Sequence, residues 1–325
     1  MLAVVTGAEG FLGCNLVREL LGRGIPTRAM VFAGTEAIDG LDLEVVRGDV
    51  LDSASLESAF DGAELIFHCA AVVSIAGNQG GLVERINIGG VRNVVRAAMA
   101  RSVKRLVHVS SVHSLVPDPD DEPIDEGRAL VHGTQHSAYA LSKAAGEREV
   151  LAGVEAGLDA VIVNPSGLFG PNDFGPSLFG RTLLWLRQGK LPALIDGAYN
   201  FVDARDVATS AVDASERGRR GERYLLGGHV SSVLDLSNAV AELTGGRGAR
   251  LAVPRWVALA TAPAVEWLSA RIGVEPIYTS EAVRILGDNP RISLEKSRAE
   301  LGHDPRPMQE TIRDTIAFFE SAGMV

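Results

Sequence analysis

The stretch Thr6-Gly7-Ala8-Glu9-Gly10-Phe11-Leu12-Gly13 decides the fold. It follows a short valine-rich run, residues 2–5, that is typical of a buried strand, and it precedes apolar residues at helical spacing over 15–21. The glycines allow a tight reversal, a close backbone approach to a ligand and close helix–strand packing. Because a helix N-terminus presents free N–H groups, this turn predicts a dinucleotide pyrophosphate site, with a plain packing turn as the alternative.

Composition excludes several classes of protein. The chain has 325 residues, 46% of them apolar, enough for one large domain or two ordinary ones. A net charge of −10 without a basic run argues against nucleic-acid binding. Two cysteines, Cys14 and Cys69, favour a reducing compartment, and no metal-ligand motif appears. We expect a cytoplasmic protein without a signal peptide, without a metal and without a membrane span, because the apolar stretch 256–265 is too short to cross a bilayer.

Strand and helix patterns alternate along the first half of the chain. Strand patterns lie at 26–32, 43–50, 64–71, 105–111 and 160–163, and helix patterns at 53–60, 82–101 and 137–155. This alternation predicts an α/β fold with a Rossmann-type, doubly wound parallel sheet. We expect residues 1–165 to form the NAD(P)-binding domain. Residues 166–325 are expected to form a smaller, mostly helical substrate-binding region, interleaved with the sheet through a strand near 222–227.

Cofactor choice depends on the end of the second strand. An acidic residue there would bind the ribose of NAD, and an arginine would accommodate the phosphate of NADP. This chain has Phe32 there, with Arg28 earlier on the strand and Glu9 in the glycine turn, where its charge would repel an extra phosphate. We therefore expect NAD or NADP, with NAD favoured. Asp49 is either an adenine contact or a turn residue, and Asn87 is either buried with a role or exposed.

Tyr139 and Lys143 are four residues apart at a helix start, so their side chains share one face. A free tyrosine has a pKa of about 10, and an adjacent ammonium would lower that pKa and make the phenol a usable acid or base. Ser111 closes the fifth strand at the edge where open α/β sheets bind ligands. Ser111 and Tyr139 would bracket a carbonyl or alcohol while a nicotinamide gives or takes a hydride. Three unrelated surface residues are the alternative interpretation.

The chain resembles the extended short-chain dehydrogenase/reductase family, also called the NAD-dependent epimerase/dehydratase family. The matching stretches span almost the whole chain: 6–13, 48–49, 68–71, 87 with 90, 109–111, 139 with 143, 164–166, 201–208 and 301–302. Residues 164–171 and 189–193 look most like the dihydroflavonol-4-reductase-like branch. Bacterial members described as hopanoid-associated sugar epimerases are similar there too.

The resemblance implies a role for each matched residue. Tyr139 would move the proton, Ser111, rather than Ser110, would hold the substrate oxygen, and Lys143 would bind the nicotinamide ribose and tune Tyr139. The expected cofactor-binding residues are Gly7, Gly10, Phe11, Leu12, Gly13, Arg28, Phe32, Asp49, Val50, Ala70, Ala71, Asn87, Val109, Tyr139, Lys143, Pro165 and Ser166. The family's usual dimer, built on helices 82–101 and 138–156, implies a homodimer.

Two departures limit the resemblance. Phe32 stands where NADP-using reductases have arginine, and residues 112–116 lack the asparagine that positions flavonoids. We expect an enzyme that interconverts a ketone and a secondary alcohol, acting on a small, hydrophobic or cyclic substrate because the C-terminal half is apolar. Two alternatives stay open. One is a sugar-nucleotide epimerase or dehydratase, with candidate diphosphate ligands Arg181, Arg187, Lys190, Arg205 and Arg255. The other is a non-catalytic dinucleotide-binding regulator.

Overall fold

The computed structural model describes residues 1–325 except seven positions and the side chain of Ala270. The seven positions are Ala76, Pro192, Arg247, Arg250, Val274, Glu275 and Ile277. Pro192 belongs to the 189–193 stretch of the resemblance, so that part of the prediction lies outside the described residues.

Strands and helices alternate as the patterns predict in the first half of the chain. The strands are β1 Ala3–Thr6, β2 Thr27–Val31, β3 Glu44–Arg47, β4 Leu65–His68, β5 Arg105–Val109, β6 Ala160–Pro165, β7 Gly167–Phe169, β8 Ala193–Ile195, β9 Ala198–Asp203, β10 Arg223–Leu226, β11 His229–Ser232 and β12 Leu251–Val253. The helices are α1 Phe11–Gly22, α2 Ser53–Ala59, α3 Leu82–Glu84, α4 Val91–Ala100, α5 Ala138–Glu155, α6 Leu178–Arg187, α7 Ala204–Arg217, α8 Val233–Thr244, α9 Arg255–Ile272, α10 Ser280–Ile285, α11 Glu295–Leu301 and α12 Met308–Ser321.

Seven strands form one parallel sheet in the order β10-β6-β5-β4-β1-β2-β3. The order reverses beside β1, where Thr6 pairs with Met30 on one side and with His68 on the other. A crevice opens at the carboxyl ends of the strands at such a reversal. The predicted Rossmann-type sheet is confirmed, and its ligand edge lies beside the glycine turn.

Alternate residues of each strand pack on opposite faces of the sheet. Val5 packs with α1 and α7 on one face, and Val4 packs with α2, α4 and α5 on the other. Both faces are apolar, as a parallel sheet covered by helices requires. The two helical layers therefore hold the strand ends, and the residues on them, in fixed positions.

The second half of the chain builds a separate cluster above the carboxyl edge. A three-stranded sheet, β11-β9-β7, and a strand pair, β12-β8, pack with α6, α8 and α12 around Phe201 and Phe319. β10 runs back to the main sheet and pairs with β6. The helical character of this region is confirmed, and the proposed domain division at residue 165 stays a prediction.

The predicted helix over 82–101 differs from the observed one. A π-helical segment, Arg85–Gly90, separates α3 from α4. Asn87 lies in it and is buried, with its amide oxygen accepting from the Val72 N–H at 2.8 Å and its amide nitrogen donating to the Val72 carbonyl at 2.9 Å. Single π-turns inside helices are often found at functional sites, because the extra residue re-aims a side chain.

Candidate active site

The glycine turn is a tight backbone cradle with no room for side chains at Gly7 and Gly13. Gly7 has φ +67°, and a Cβ there would lie 2.8 Å from the backbone of Ala70. A Cβ on Gly13 would lie 2.0 Å from the Gly7 carbonyl oxygen. Gly10 caps α1 without a side-chain hydrogen bond, so Phe11 and Leu12 begin the helix with its N-terminus open. The tight backbone and the open helix N-terminus fit the close approach of a pyrophosphate.

The neighbouring loops continue the crevice beyond β3 and β4. Val50 is buried against Gly90, whose added Cβ would lie 2.7 Å from the Val50 Cγ2. Asp49 Oδ1 accepts from the Leu51 N–H at 2.8 Å, so the turn role foreseen for Asp49 is present. Partly buried Ala70 and Ala71 follow β4 with side chains small enough to leave room beside the turn.

Two charged side chains from other elements, the carboxylate of Glu9 and the guanidinium of Arg47, lie at the end of β2. Glu9 Oε1 accepts from the N–H groups of Phe32, at 2.7 Å, and Ala33, at 3.4 Å. Glu9 Oε2 is buried, and among the described residues it has no hydrogen-bond partner. From β3, the Arg47 guanidinium donates to the Ala33 carbonyl at 2.6 Å. Sequence reasoning missed Arg47, because only its place at the end of β3 brings it here.

Two of the predicted residues at this strand are placed differently. Phe32 is 70% exposed at the end of β2, next to the crevice. The guanidinium of Arg28 donates to the carbonyls of Ala59 and Asp61 and pairs with Glu44 at 2.8 Å. The structure therefore does not bring the Arg28 charge to the glycine turn.

Ser111, Tyr139 and Lys143 converge at the carboxyl end of β5. Ser137 caps α5 by accepting from the Ala140 N–H at 3.0 Å, which places Tyr139 and Lys143 in the first two turns of that helix. Lys143 is buried, and its ammonium donates to the Val109 carbonyl at 2.7 Å. Ser111 is buried where the chain leaves β5.

Burial dominates the ionisation of this group. It raises the pKa of Tyr139 to about 12, while a hydrogen bond with the Ser111 hydroxyl opposes the rise. It lowers the pKa of Lys143 to about 8, while the Glu147 carboxylate opposes the fall. The expected lowering of the Tyr139 pKa by Lys143 is not seen, because burial is the largest cause and the opposing contribution comes from Ser111. Without a ligand the phenol is therefore protonated at neutral pH.

A buried carboxylate supports the strand end and separates the roles of the two serines. Glu147 is fully buried and accepts from Ser110 Oγ at 2.6 Å and from Asn164 Nδ2 at 2.7 Å, and Arg223 pairs with it at 3.1 Å. The hydroxyl of Ser110 is therefore held by Glu147, whereas the hydroxyl of Ser111 is hydrogen-bonded with Tyr139 at the predicted site. Sequence reasoning missed Glu147, although its place one turn after Lys143 on the same helix face was a usable signal.

A polar cavity of about 320 Å³ lies beside these residues. His113 and Tyr199 hydrogen-bond across it, and Ser166 Oγ donates to Asn200 Oδ1 at 2.8 Å. Ser166 follows Pro165, the last residue of β6. Tyr139 is close enough to raise the pKa of Tyr199 further, although burial is the larger cause. His113, Tyr199 and Asn200 were not predicted, because their sequence surroundings carry no motif.

An apolar cavity of about 310 Å³ adjoins the polar one, since Tyr199 and Ile285 line both. Its walls come mainly from α6, β8, α8 and α10, with Ala258 contributed by α9. Phe179, Trp185 and Phe201 supply aromatic surface. The two cavities together offer a space with one polar and one apolar end.

A family model, the NAD dependent epimerase/dehydratase family, matches residues 3–227 of this chain. The chain belongs to that family. Its members in the extended short-chain group are nicotinamide-dependent, so the chain is an NAD(P)-dependent enzyme. The matched region runs from β1 to β10 and contains the glycine turn, Ser111, Tyr139 and Lys143.

Individual relatives in the family match along the full length. The chain is 35% identical to sterol demethylase protein B of Methylococcus capsulatus, covering 100% of both chains. It is 31% identical to a protein of Synechocystis named as a possible dihydroflavonol 4-reductase, covering 99% of this chain and 95% of the relative. The crystal structure of gox2253 superposes with a TM-score of 0.87 at 33% identity, covering 99% and 98%. Among the described residues no helix meets the length and apolarity needed to cross a membrane.

Proposed function

We propose that this protein transfers a hydride between a nicotinamide cofactor and an apolar substrate, interconverting a ketone and a secondary alcohol. The observation that carries the proposal is the meeting of Ser111, Tyr139 and Lys143 beside the glycine cradle. The protonated phenol of Tyr139 and the hydroxyl of Ser111, which hydrogen-bond with each other when no ligand is bound, can both turn to a carbonyl oxygen. Bound nicotinamide supplies or accepts the hydride, and the protein supplies the proton and the orientation.

Each of the three side chains has a separate task in this proposal. Tyr139 gives its phenolic proton to the carbonyl oxygen during reduction and takes one back during oxidation. Ser111 donates a hydrogen bond to the same oxygen and holds it at the phenol. Lys143 stands one turn after Tyr139 on α5, and its positive charge would favour the phenolate that reduction leaves behind.

The cavities favour an apolar substrate over a sugar nucleotide. Asp118, Glu281 and Asp288 line the polar cavity together with a single arginine, Arg284. This acidic wall would repel a diphosphate. The five basic residues considered for a diphosphate do not line either cavity in the described structure: Arg181, Arg187, Lys190, Arg205 and Arg255. Two relatives are named as a steroid or sterol dehydrogenase and a third as a sterol demethylase protein, which agrees with an apolar substrate.

We also propose that NAD is preferred to NADP. Glu9 lies at the end of β2, where the ribose hydroxyls of a dinucleotide bind in this fold. A ribose phosphate at this position would meet the negative charge of Glu9, whereas the uncharged ribose hydroxyls of NAD would not be repelled. In this chain the acidic residue near the ribose comes from the glycine turn. The position at the end of β2, where the acidic residue usually stands, holds the apolar Phe32.

Replacement of Tyr139 by phenylalanine tests the proposed function. We expect the variant to bind NADH normally and to lose about 10²–10⁴-fold in ketone reduction, because only the proton donor is missing. Tyr224→Phe removes a phenol on β10, outside both cavities, and should keep activity. Equal activity of Tyr139→Phe and wild type would contradict the proposal. Cofactor that copurifies, without net consumption on any ketone, would point to the epimerase alternative.

A further inference from the structure

The outer face of α9 is apolar and uncovered. Trp256, Ala260, Ala264 and Trp267 follow at helical spacing and are all exposed, Trp256 by 73% and Trp267 by 60%. Ile272, at the end of the same helix, is 64% exposed. None of the exposed, described residues of α9 is acidic. A helix that faces water normally has charged residues on this side, so the face has the character of an interaction surface.

Charge indicates the kind of partner. The sequence of segment 245–273 contains four arginines and one acidic residue, Glu266, in a chain whose net charge is −10. Two of these arginines, Arg255 and Arg271, lie among the described residues, and both are exposed. Arg271 is exposed and stacks over the ring of Trp267 at 4.8 Å. Glu266 accepts from the Ser280 N–H on the inner side. A cationic segment with exposed tryptophans complements an anionic lipid surface, where indole rings favour the headgroup region.

A second copy of the chain fits this face less well than a bilayer. Eighteen residues of helix are about 27 Å long and about 10 Å wide, so the face covers about 270 Å². A stable protein–protein interface needs about 800 Å² from each partner. A bilayer has no such requirement, because one amphipathic helix lying in the interface plane can bind it.

The inner side of α9 forms part of the wall of the apolar cavity. Ala258 of α9 is buried and lines the apolar cavity. We infer that the outer face of α9 docks on an anionic bilayer, which brings the apolar cavity close to the phase in which an apolar substrate dissolves. The docking itself does not depend on the proposed reaction, since it needs only the tryptophans and the cationic segment.

Vesicle binding by the full-length protein tests the inference. The probes are phosphatidylcholine vesicles with and without phosphatidylglycerol, at low and at high salt. We expect cosedimentation with the anionic vesicles only, reversed by salt, and quenching of tryptophan fluorescence by brominated lipid. The variant Trp256→Ser/Trp267→Ser should bind at least about tenfold more weakly. The control Val45→Ser/Val230→Ser removes two exposed apolar side chains elsewhere and should bind as wild type.

The outcomes are distinct. Both variants must keep wild-type NADH affinity and circular dichroism, which the exposure of the replaced side chains favours. Absence of vesicle binding, or equal binding by the tryptophan variant, would overturn the inference. So would a dimer in sedimentation velocity that the tryptophan variant dissociates, because the occupant would then be a second copy. A failed reductase assay with intact vesicle binding would overturn the proposed reaction and leave the docking surface standing.

Discussion

Lys143 shows how a single residue of this site affects stability. Its pKa in the folded protein, about 8, lies below its ordinary value of 10.5. The unfolded chain therefore binds more protons between these two pH values, and the contribution of Lys143 to stability rises with pH across that window. Below pH 8 the ammonium is charged in the folded protein, and its burial destabilises the fold by the largest amount. The hydrogen bond to Val109 and the charge of Glu147 offset only part of this destabilisation.

Lys143→Met should therefore stabilise the protein while abolishing its activity. We expect a higher free energy of unfolding at neutral pH, because an apolar side chain of similar length fills the same space without a charge. Denaturant titrations at neutral pH and near pH 10 measure the free energy of unfolding. The difference between the variant and wild type should be smaller at the higher pH. A variant that is less stable than wild type at neutral pH would show that the contacts with Val109 and Glu147 outweigh the cost of burying the ammonium.

Glu9 sets the prediction for cofactor choice. Glu9→Gln removes the negative charge at the end of β2 and leaves the shape of the turn, so repulsion of a ribose phosphate disappears. We expect the ratio of NADPH to NADH dissociation constants to fall by about tenfold or more, measured by fluorescence titration. Glu36→Gln removes the same charge from an exposed position in the following loop and should change the ratio little. An unchanged ratio for Glu9→Gln would assign the choice to Arg47 or Phe32.

At the scale of elements, the π-turn at Asn87 ties a loop to two helices. Asn87 holds the backbone of Val72, just after β4, and its amide nitrogen also donates to Ser142 Oγ at 2.9 Å. One side chain thus links the crevice loop, the 85–90 segment and α5. Its loss leaves the Val72 N–H and carbonyl without their partners.

Asn87→Ala should lower the free energy of unfolding by about 1–3 kcal/mol, because buried polar groups lose their hydrogen bonds. Chemical denaturation measures the change. Asn238→Ala on α8 removes an exposed helical asparagine and should stay within about 0.5 kcal/mol of wild type. Similar values for the two variants would mean that solvent replaces the Asn87 contacts.

Elements with a periodic sequence and strands of the main sheet were predictable, whereas short strands outside that sheet were not. The glycine turn, the parallel strands and the Tyr139–Lys143 pair follow from local spacing, which sequence alone records. β7, β8, β11 and β12 have only three or four residues each and lie outside the main sheet, so no strand–helix alternation marks them as it marks the equally short β1, β3 and β4. The π-turn was hidden for another reason, since its residue Asn87 contacts Val72, fifteen residues away, and local spacing does not record that contact.

At the scale of the whole molecule, the site depends on contacts between distant parts of the chain. Arg223 of β10 pairs with Glu147 of α5, and Tyr199 of β9 reaches His113. No local pattern records such pairs, so the cavities could not be predicted. The roles of the site residues and the homodimer stay predictions, whereas the family and the sheet are established.

The sheet also depends on the second half of the chain. Val207 and Val212 of α7 pack on the sheet face beside α1, and β10 covers the edge of β6. We expect residues 1–165 alone to lack a cooperative unfolding transition, since this face and this edge would be exposed. Calorimetry of the fragment beside the full chain measures it. A sharp transition in the fragment would show that residues 1–165 form an independent domain.

Direct detection of hydride transfer to a substrate is the most direct test of the proposed reaction. NADH carrying deuterium at the transferable nicotinamide position is mixed with a panel of apolar ketones, and the products are analysed by mass spectrometry. We predict deuterium on the carbinol carbon of a product made by the wild type, and none with Tyr139→Phe. Bound NADH without deuterium in any product, or equal transfer by Tyr139→Phe, would contradict the assignment of Ser111, Tyr139 and Lys143 as the reactive site.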